Sequence, residues 1–389
     1  RINLVEALDH RFMAWLKLGT VKLAAGPHSV KIVLFGDLKN SGGIDCLCFV
    51  NFPWVPSGVE RPKAPTPTRV PAPDEWFVFT PDDDSYSDQS IIDLSSLLHK
   101  PAGRYGFLQR RGKDLVFEQQ GTPVKLWGLG ARMARTPQLQ EQQARLYAKY
   151  GLNMLRTHTL EATIGLLVKD PVTGKRDFDP KRIDQWDRWF ATLKNQGIYS
   201  TLSCFYPHEI TPDDGYPTEL YEELPPLGKG RSSSGVVNFV PALQQAEEEW
   251  LKALLLHKNP YTGLRYIDDP AVAVLEIHND DCIFWHAPLN DLAATPSMLP
   301  RHSALLKRLW MEWLQKRYGD DARLRVAWGG GMKPGDSVSN PAMSIYGAWE
   351  MAAARPERDK VVATAERKRM GDFIRFLAET QRAYYERRE

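Results

Sequence analysis

Ala271–Trp285 reads AVAVLEIHNDDCIFW, and the way this stretch is read decides the fold. Ala271–Ile277 is an almost unbroken apolar run introduced by Asp268, Asp269 and Pro270, the pattern of a strand buried on both faces of a parallel sheet. Polarity then switches abruptly to His278, Asn279, Asp280 and Asp281, followed by the aromatic Phe284 and Trp285. A carboxylate beside an amide and an imidazole, flanked by aromatic rings, suits chemistry on a hydroxyl-rich substrate. In barrels of alternating strands and helices such chemistry sits at the C-terminal ends of the strands. An ordinary strand exit, whose Asn and Asp only satisfy a turn, reads the same way at this point.

Working outward, strands alternate with helices. A strand at Val124–Leu129 is followed by a helix over 137–150, and a strand at Asn153–His158 by a helix over 181–196. A third strand, Ile198–Phe205, leads through a long loop rich in Pro, Gly and Ser to a helix over 241–257. The opening stretch is the fourth strand, and amphipathic segments at 301–318 and 359–388 follow. Before the first of these strands, GFLQRRGKDLVFEQQGTP reads as a hairpin turning at Arg111-Gly112-Lys113. The alternation predicts parallel strands with helical crossovers. A doubly wound nucleotide fold is disfavoured, because Gly128-Leu129-Gly130 lacks the third glycine and the downstream acid of a dinucleotide fingerprint. Polar residues cluster at the strand ends: Arg156 and His158 on the second, Tyr206 and His208 after the third, Asn279 and Asp280 after the fourth.

Towards the N-terminus the rhythm differs. Residues 1–52 read as short alternating strands, part of a β-sandwich, and 53–78 as a proline-rich linker, extended and semi-rigid. The barrel-like region is 79–389. The chain has 389 residues, 43% hydrophobic and 25% charged, with a net charge of +2 that argues against a dedicated nucleic-acid binder. No run of about 18 apolar residues is present, so no membrane span is expected. The four cysteines show neither metal-ligand spacing nor a disulfide framework and read as buried thiols. The 12 tryptophans are read mostly as core, with Trp127 and Trp285 as candidate platforms for a sugar ring.

Three motifs, VFEQQGTPVKLWGLG, YGLNMLRTHTLE and the run ending EIHND, resemble in order and spacing the first half of a clan A glycoside hydrolase. These are TIM-barrel enzymes of the cellulase and β-mannanase type, similar to families 5 and 42. WLKLGTVKLAAGPHSVKIVL resembles the last strands of a jelly-roll, carbohydrate-binding-like module. The resemblance implies an α/β fold, a (β/α) TIM-type barrel of which four strand–helix units are present, preceded by a partial β-sandwich. It implies that Asp280 is the general acid/base, that Asn279 contacts a sugar hydroxyl and that Arg156 supports catalysis. His158, Trp127, Tyr206, His208, His278, Asp281 and Trp285 are then candidate substrate contacts. Arg156 as a barrel salt bridge, and His158 and His278 as structural histidines, remain open readings.

Two departures stand out. The acid/base position holds Asp where the clan has Glu, which sets the carboxyl about 1.5 Å closer to the backbone. The clan's second carboxylate belongs to a seventh strand, and only four strands are counted before Glu389. The expected function is cleavage of β-linked poly- or oligosaccharides; the alternative is a carbohydrate-binding protein or pseudoenzyme without the second carboxylate. No cofactor and no metal site are expected. The expected partners are a carbohydrate, with no nucleic acid or membrane, and either a second copy or a C-terminal half that completes the barrel. Secretion or a periplasmic location is the expected setting. A serine esterase lacks its GxSxG elbow here, and a zinc hydrolase its paired histidines.

Overall fold

The computed structural model describes residues 20–33, 49, 92–353 and 364–387. The chain divides into two compact units, Arg1–Thr80 and Pro81–Glu389. In the first, most of the expected sandwich and the linker lie outside the described residues; 20–33 carry no strand, and Val21, Leu23 and Val30 are exposed.

The second unit is mixed α/β around a parallel sheet. It opens with a hairpin, β1 (Leu108–Arg111) and β2 (Asp114–Phe117), turning at Gly112-Lys113 as the sequence predicts. Next come β3 (Gly128–Gly130), α1 (Pro137–Lys149), β4 (Met154–Thr157) and a short helix α2 (Leu160–Ile164). α3 (Pro180–Asn195), β5 (Tyr199–Phe205), α4 (Pro241–Leu256) and β6 (Val272–His278) follow. The sheet order is β6-β5-β4-β3, every pairing parallel and every neighbour consecutive in the chain, which is the expected arrangement. A closed barrel is not present among the described residues.

Local signals explain where these helices sit. Thr136 accepts from the Leu139 amide ahead of Pro137, and Asp179 accepts from the Lys181 and Arg182 amides ahead of Pro180. Each thus satisfies amides that the first turn leaves free, with proline preset at the first helical position. α3 ends at Gly197, whose φ of +82° and closeness to the His99 carbonyl (2.9 Å from a built Cβ) leave room for no side chain. At the same end Lys194 donates to both Asp269 oxygens at 2.8 Å, fixing the entry to β6.

Among the four strands of this sheet only β5 is buried along its whole length. The expectation that the Ala271–Ile277 strand is buried on both faces is corrected: Val274 and Leu275 are 38% and 39% exposed. β6 ends the sheet, so one flank has no neighbouring strand among the described residues; an apolar run is the same in sequence whether it lies at an edge or in the middle. The other strand difference is the first, expected over 124–129 and found at 128–130, because Val124 is drawn off by the hairpin and donates to the Leu115 carbonyl.

Two cores hold the unit. One lies between the sheet and its helices and contains Leu155, Trp186, Trp189, Phe205 and Trp250. The other is helical, built by α5 (His286–Ala293), α6 (Pro300–Tyr318), α7 (Asp321–Trp328) and α8 (Thr364–Glu386) around Trp310, Trp328, Phe373 and Phe376. Among the described residues five tryptophans are fully buried, whereas Trp127, Trp285 and Trp349 are exposed. No helix of the described residues is long and apolar enough to cross a membrane.

Candidate functional site

Arg156, near the end of β4, reaches across β5 to β6. Its Nε donates to Glu276 Oε2 at 2.7 Å and its Nη2 to Glu276 Oε1 at 3.0 Å, a two-point clasp. The same Nη2 donates to Asn279 Oδ1 at 2.6 Å and to Ser203 Oγ at 3.1 Å. The register explains the convergence: Arg156 lies beside Thr201, and Glu276 beside Ser203. A long guanidinium arm can therefore cross the central strand over the small Ser203. The Arg156 and Glu276 side chains are 32% and 29% exposed, so the cluster is open to a ligand. Burial opposes ionisation of Glu276, but the hydrogen bonds and charge of Arg156 outweigh it and hold the carboxyl below its usual range.

His158 stands beside this cluster, with Nδ1 3.4 Å from Ser203 Oγ and its ring 5.5 Å from the Tyr206 ring. Burial, reinforced by the Arg156 charge, pushes its pKa down, so the ring is neutral at neutral pH and keeps an acceptor nitrogen. Asp280 follows directly. It is exposed, with φ +48°, in the left-handed region that costs most L-residues about 1–2 kcal/mol and that Asp tolerates better. Asp280 also acts electrostatically on both Arg156 and His158.

Tyr206, Asp280, Trp285 and the 224–236 part of the long loop enclose a cleft of about 330 Å³ at this end of the sheet. The loop after the third strand borders this strand-end mouth through Leu224–Leu227, Ser232, Ser234 and Val236.

The remaining sequence candidates lie apart from the cluster. His278 turns towards α4 and is buried, its Nε2 2.6 Å from Glu247 Oε1. Asp281 is buried too: it accepts from the Gly235 amide at 2.8 Å and from Ser234 Oγ at 3.3 Å, and faces His278 Nδ1 at 3.4 Å. Burial pushes its carboxyl up while His278 pulls it down. Asp281 nonetheless shares the lining of the cleft described above with Asp280, its carboxylate engaged there by Gly235 and Ser234. His208 is buried against Glu161 of α2 at 2.5 Å and cannot reach the cleft. Trp127 is 67% exposed but precedes β3, at the N-terminal end of the parallel strands, away from Asp280 and Trp285. Tyr216, in the long loop, is buried with its hydroxyl on His302 Nε2.

The structure thus brings together Arg156, His158, Tyr206, Asn279, Asp280 and Trp285, and adds Glu276, which the sequence reading took for strand interior. A lone carboxylate inside AVAVLEI needs a cationic partner, and Arg156 on a nearby strand is the signal that identifies it. Among the described residues no group of three or more His, Cys, Asp or Glu is placed to hold a metal ion. No family model matches the chain, and no curated protein matches it. Among solved structures the chain is similar to an endo-1,4-β-mannanase from Rhizomucor miehei, at 15% identity and a TM-score of 0.34. The likeness covers 55% of this chain and 58% of the mannanase, so it spans less than two thirds of that protein's length. At that level it adds nothing to the reading of the site, which stands on its own geometry.

Proposed function

We propose that the chain carries the site of a glycoside hydrolase acting on β-linked sugars, with Asp280 as proton donor and Glu276 as the carboxylate held ionised. The observation that carries this is the Arg156–Glu276–Asn279 cluster at the strand ends, open to solvent, with Asp280 alongside. Glycoside hydrolysis calls for one carboxyl that gives up a proton and one that stays charged. Arg156 favours the charged form of Glu276, and exposure at the cleft leaves Asp280 free to meet a leaving-group oxygen. Asn279 and neutral His158 are placed to bond sugar hydroxyls, and Tyr206 and Trp285 offer apolar faces. The resemblance of EIHND to a clan A strand end supports the same reading.

A second reading, sugar binding without turnover, is favoured by one observation: both Glu276 oxygens are already engaged by Arg156. Glu276→Gln separates the two. On the hydrolase reading the wild type cleaves members of a panel of β-glucans, β-mannans and aryl β-glycosides. The variant then loses about 10²-fold or more in kcat while KM changes little. Its stability also becomes less sensitive to acid, since the ion pair contributes above pH 4.5 and is lost as pH falls through the depressed Glu276 value. A wild type that binds sugars and cleaves none of the panel leaves the binding protein as the function.

Export from the cytoplasm and self-association belong to the same proposal. The exposed Leu129, Val274 and Leu275 lie on strands at the two sheet edges, where a second copy can gain apolar burial and strand pairing. Sedimentation at micromolar concentration is expected to show dimers, and a monomer at all concentrations would remove that part of the proposal.

A further inference from the structure

Asp280 belongs to two neighbourhoods at once: it directly follows Asn279 of the polar cluster, and it lines the cleft. A proton donor has to stand over the glycosidic oxygen, the atom that joins the sugar to its leaving group. With the sugar on the polar cluster, whatever occupies the cleft is the leaving group. We infer that this leaving group is apolar: the substrate is a β-glycoside with an aryl or similarly hydrophobic aglycone, rather than a further sugar unit. This rests on the hydrolase reading and narrows it.

The cleft walls carry the argument. Pro207, Pro225, Leu227, Trp285, Pro288 and Leu299 form much of the lining. The prolines offer no amide donor, and the leucines and the indole face offer contact area. The serines in the wall are engaged within the loop, Ser234 Oγ donating to Asp281 and Ser232 Oγ accepting from the Ser234 amide. Asp281 in turn is committed to Gly235. Beside these apolar walls only Tyr206, Asp280 and Asp291 offer side-chain polar groups not already engaged in the loop, so most hydroxyls of a sugar placed here would lack partners, which selects against it. Among the described residues the cleft lining has no lysine or arginine, while Asp280, Asp281 and Asp291 belong to it, which disfavours an anionic aglycone as well. Its volume of about 330 Å³ is at the small end of ligand pockets, enough for a ring-sized group and too little for a chain.

Calorimetric titration of the full chain with methyl and phenyl β-glucosides, methyl and phenyl β-mannosides, cellobiose and mannobiose tests the inference. The phenyl glycoside of the preferred sugar is expected to bind at least tenfold more tightly than its methyl counterpart and than the disaccharide. Leu227→Asn is expected to abolish that advantage and leave methyl glycoside binding unchanged; Pro225→Ser, at an exposed position in the same lining, provides a second variant. Equal affinity for phenyl and methyl glycosides, or tighter binding of the disaccharide, overturns the apolar aglycone while the sugar-site reading stands. If none of the six compounds binds, the sugar reading falls and takes this inference with it.

Discussion

Asp280→Asn is expected to lower hydrolysis of substrates with poor leaving groups by about 10²- to 10⁴-fold, the usual contribution of a positioned general acid. Aryl glycosides whose leaving group departs without protonation should lose much less, and this dependence on the leaving group is the diagnostic feature. Sugar binding should survive, since the amide is isosteric and the Arg156–Glu276–Asn279 cluster is held without it. The backbone should tolerate the change, because Asn accepts a left-handed φ such as the +48° here. The measurement is kcat against leaving-group acidity for both proteins, with binding followed calorimetrically. Unchanged kcat across the series removes Asp280 from the mechanism.

The largest effect on stability is expected far from the cleft, at Arg369→Met. Arg369 donates to both Asp336 oxygens, at 2.8 and 2.7 Å, and to the Ser344 carbonyl at 2.7 Å, and its guanidinium lies 4.9 Å from the Tyr346 ring centre. Both charged side chains are 1% exposed. Methionine fills much of the space but leaves the Asp336 carboxylate buried without a counter-charge, a change worth about 3–5 kcal/mol. That is a large part of the ~5–15 kcal/mol that keeps a domain folded. Urea unfolding followed by circular dichroism should show it. The double variant Arg369→Met/Asp336→Leu should regain most of the loss, because an apolar pair of similar volume needs no partner. A single variant as stable as the wild type would mean that water reaches Asp336.

The sheet was legible because its signals are local. Apolar runs of strand length alternate with segments of helical periodicity along the chain. These fix order and parallel sense, and the structure bears both out. Position within the sheet was not legible. AVAVLEI fits a central strand as well as the edge it occupies, because exposure depends on neighbours some 70 residues away. The site divides in the same way. Arg156, Asn279 and Asp280 follow from strand-end polarity, whereas His278 and Asp281 share that polarity and turn inward to Glu247 and Gly235. Which way a side chain leaves a strand end is settled by helix packing. Glu276 was hidden because an apolar context suggests burial, while its clasp with Arg156 spans 120 residues.

The hydrogen bond from Tyr384 of α8 to Glu247 of α4 has a consequence for the order in which the protein is made. A chain emerging from the ribosome N-terminal end first completes β6, and with it the Arg156–Glu276 clasp, while α8 is still unsynthesised. The other flank of the strand waits. Glu247 already meets His278, but its second oxygen gains the Tyr384 hydroxyl, 137 residues further along, only when α8 docks. During that interval the Glu247 carboxylate that holds His278 lacks its Tyr384 partner, and ribosome-stalled chains ending before and after residue 384 should differ in how well His278 is shielded from chemical labelling.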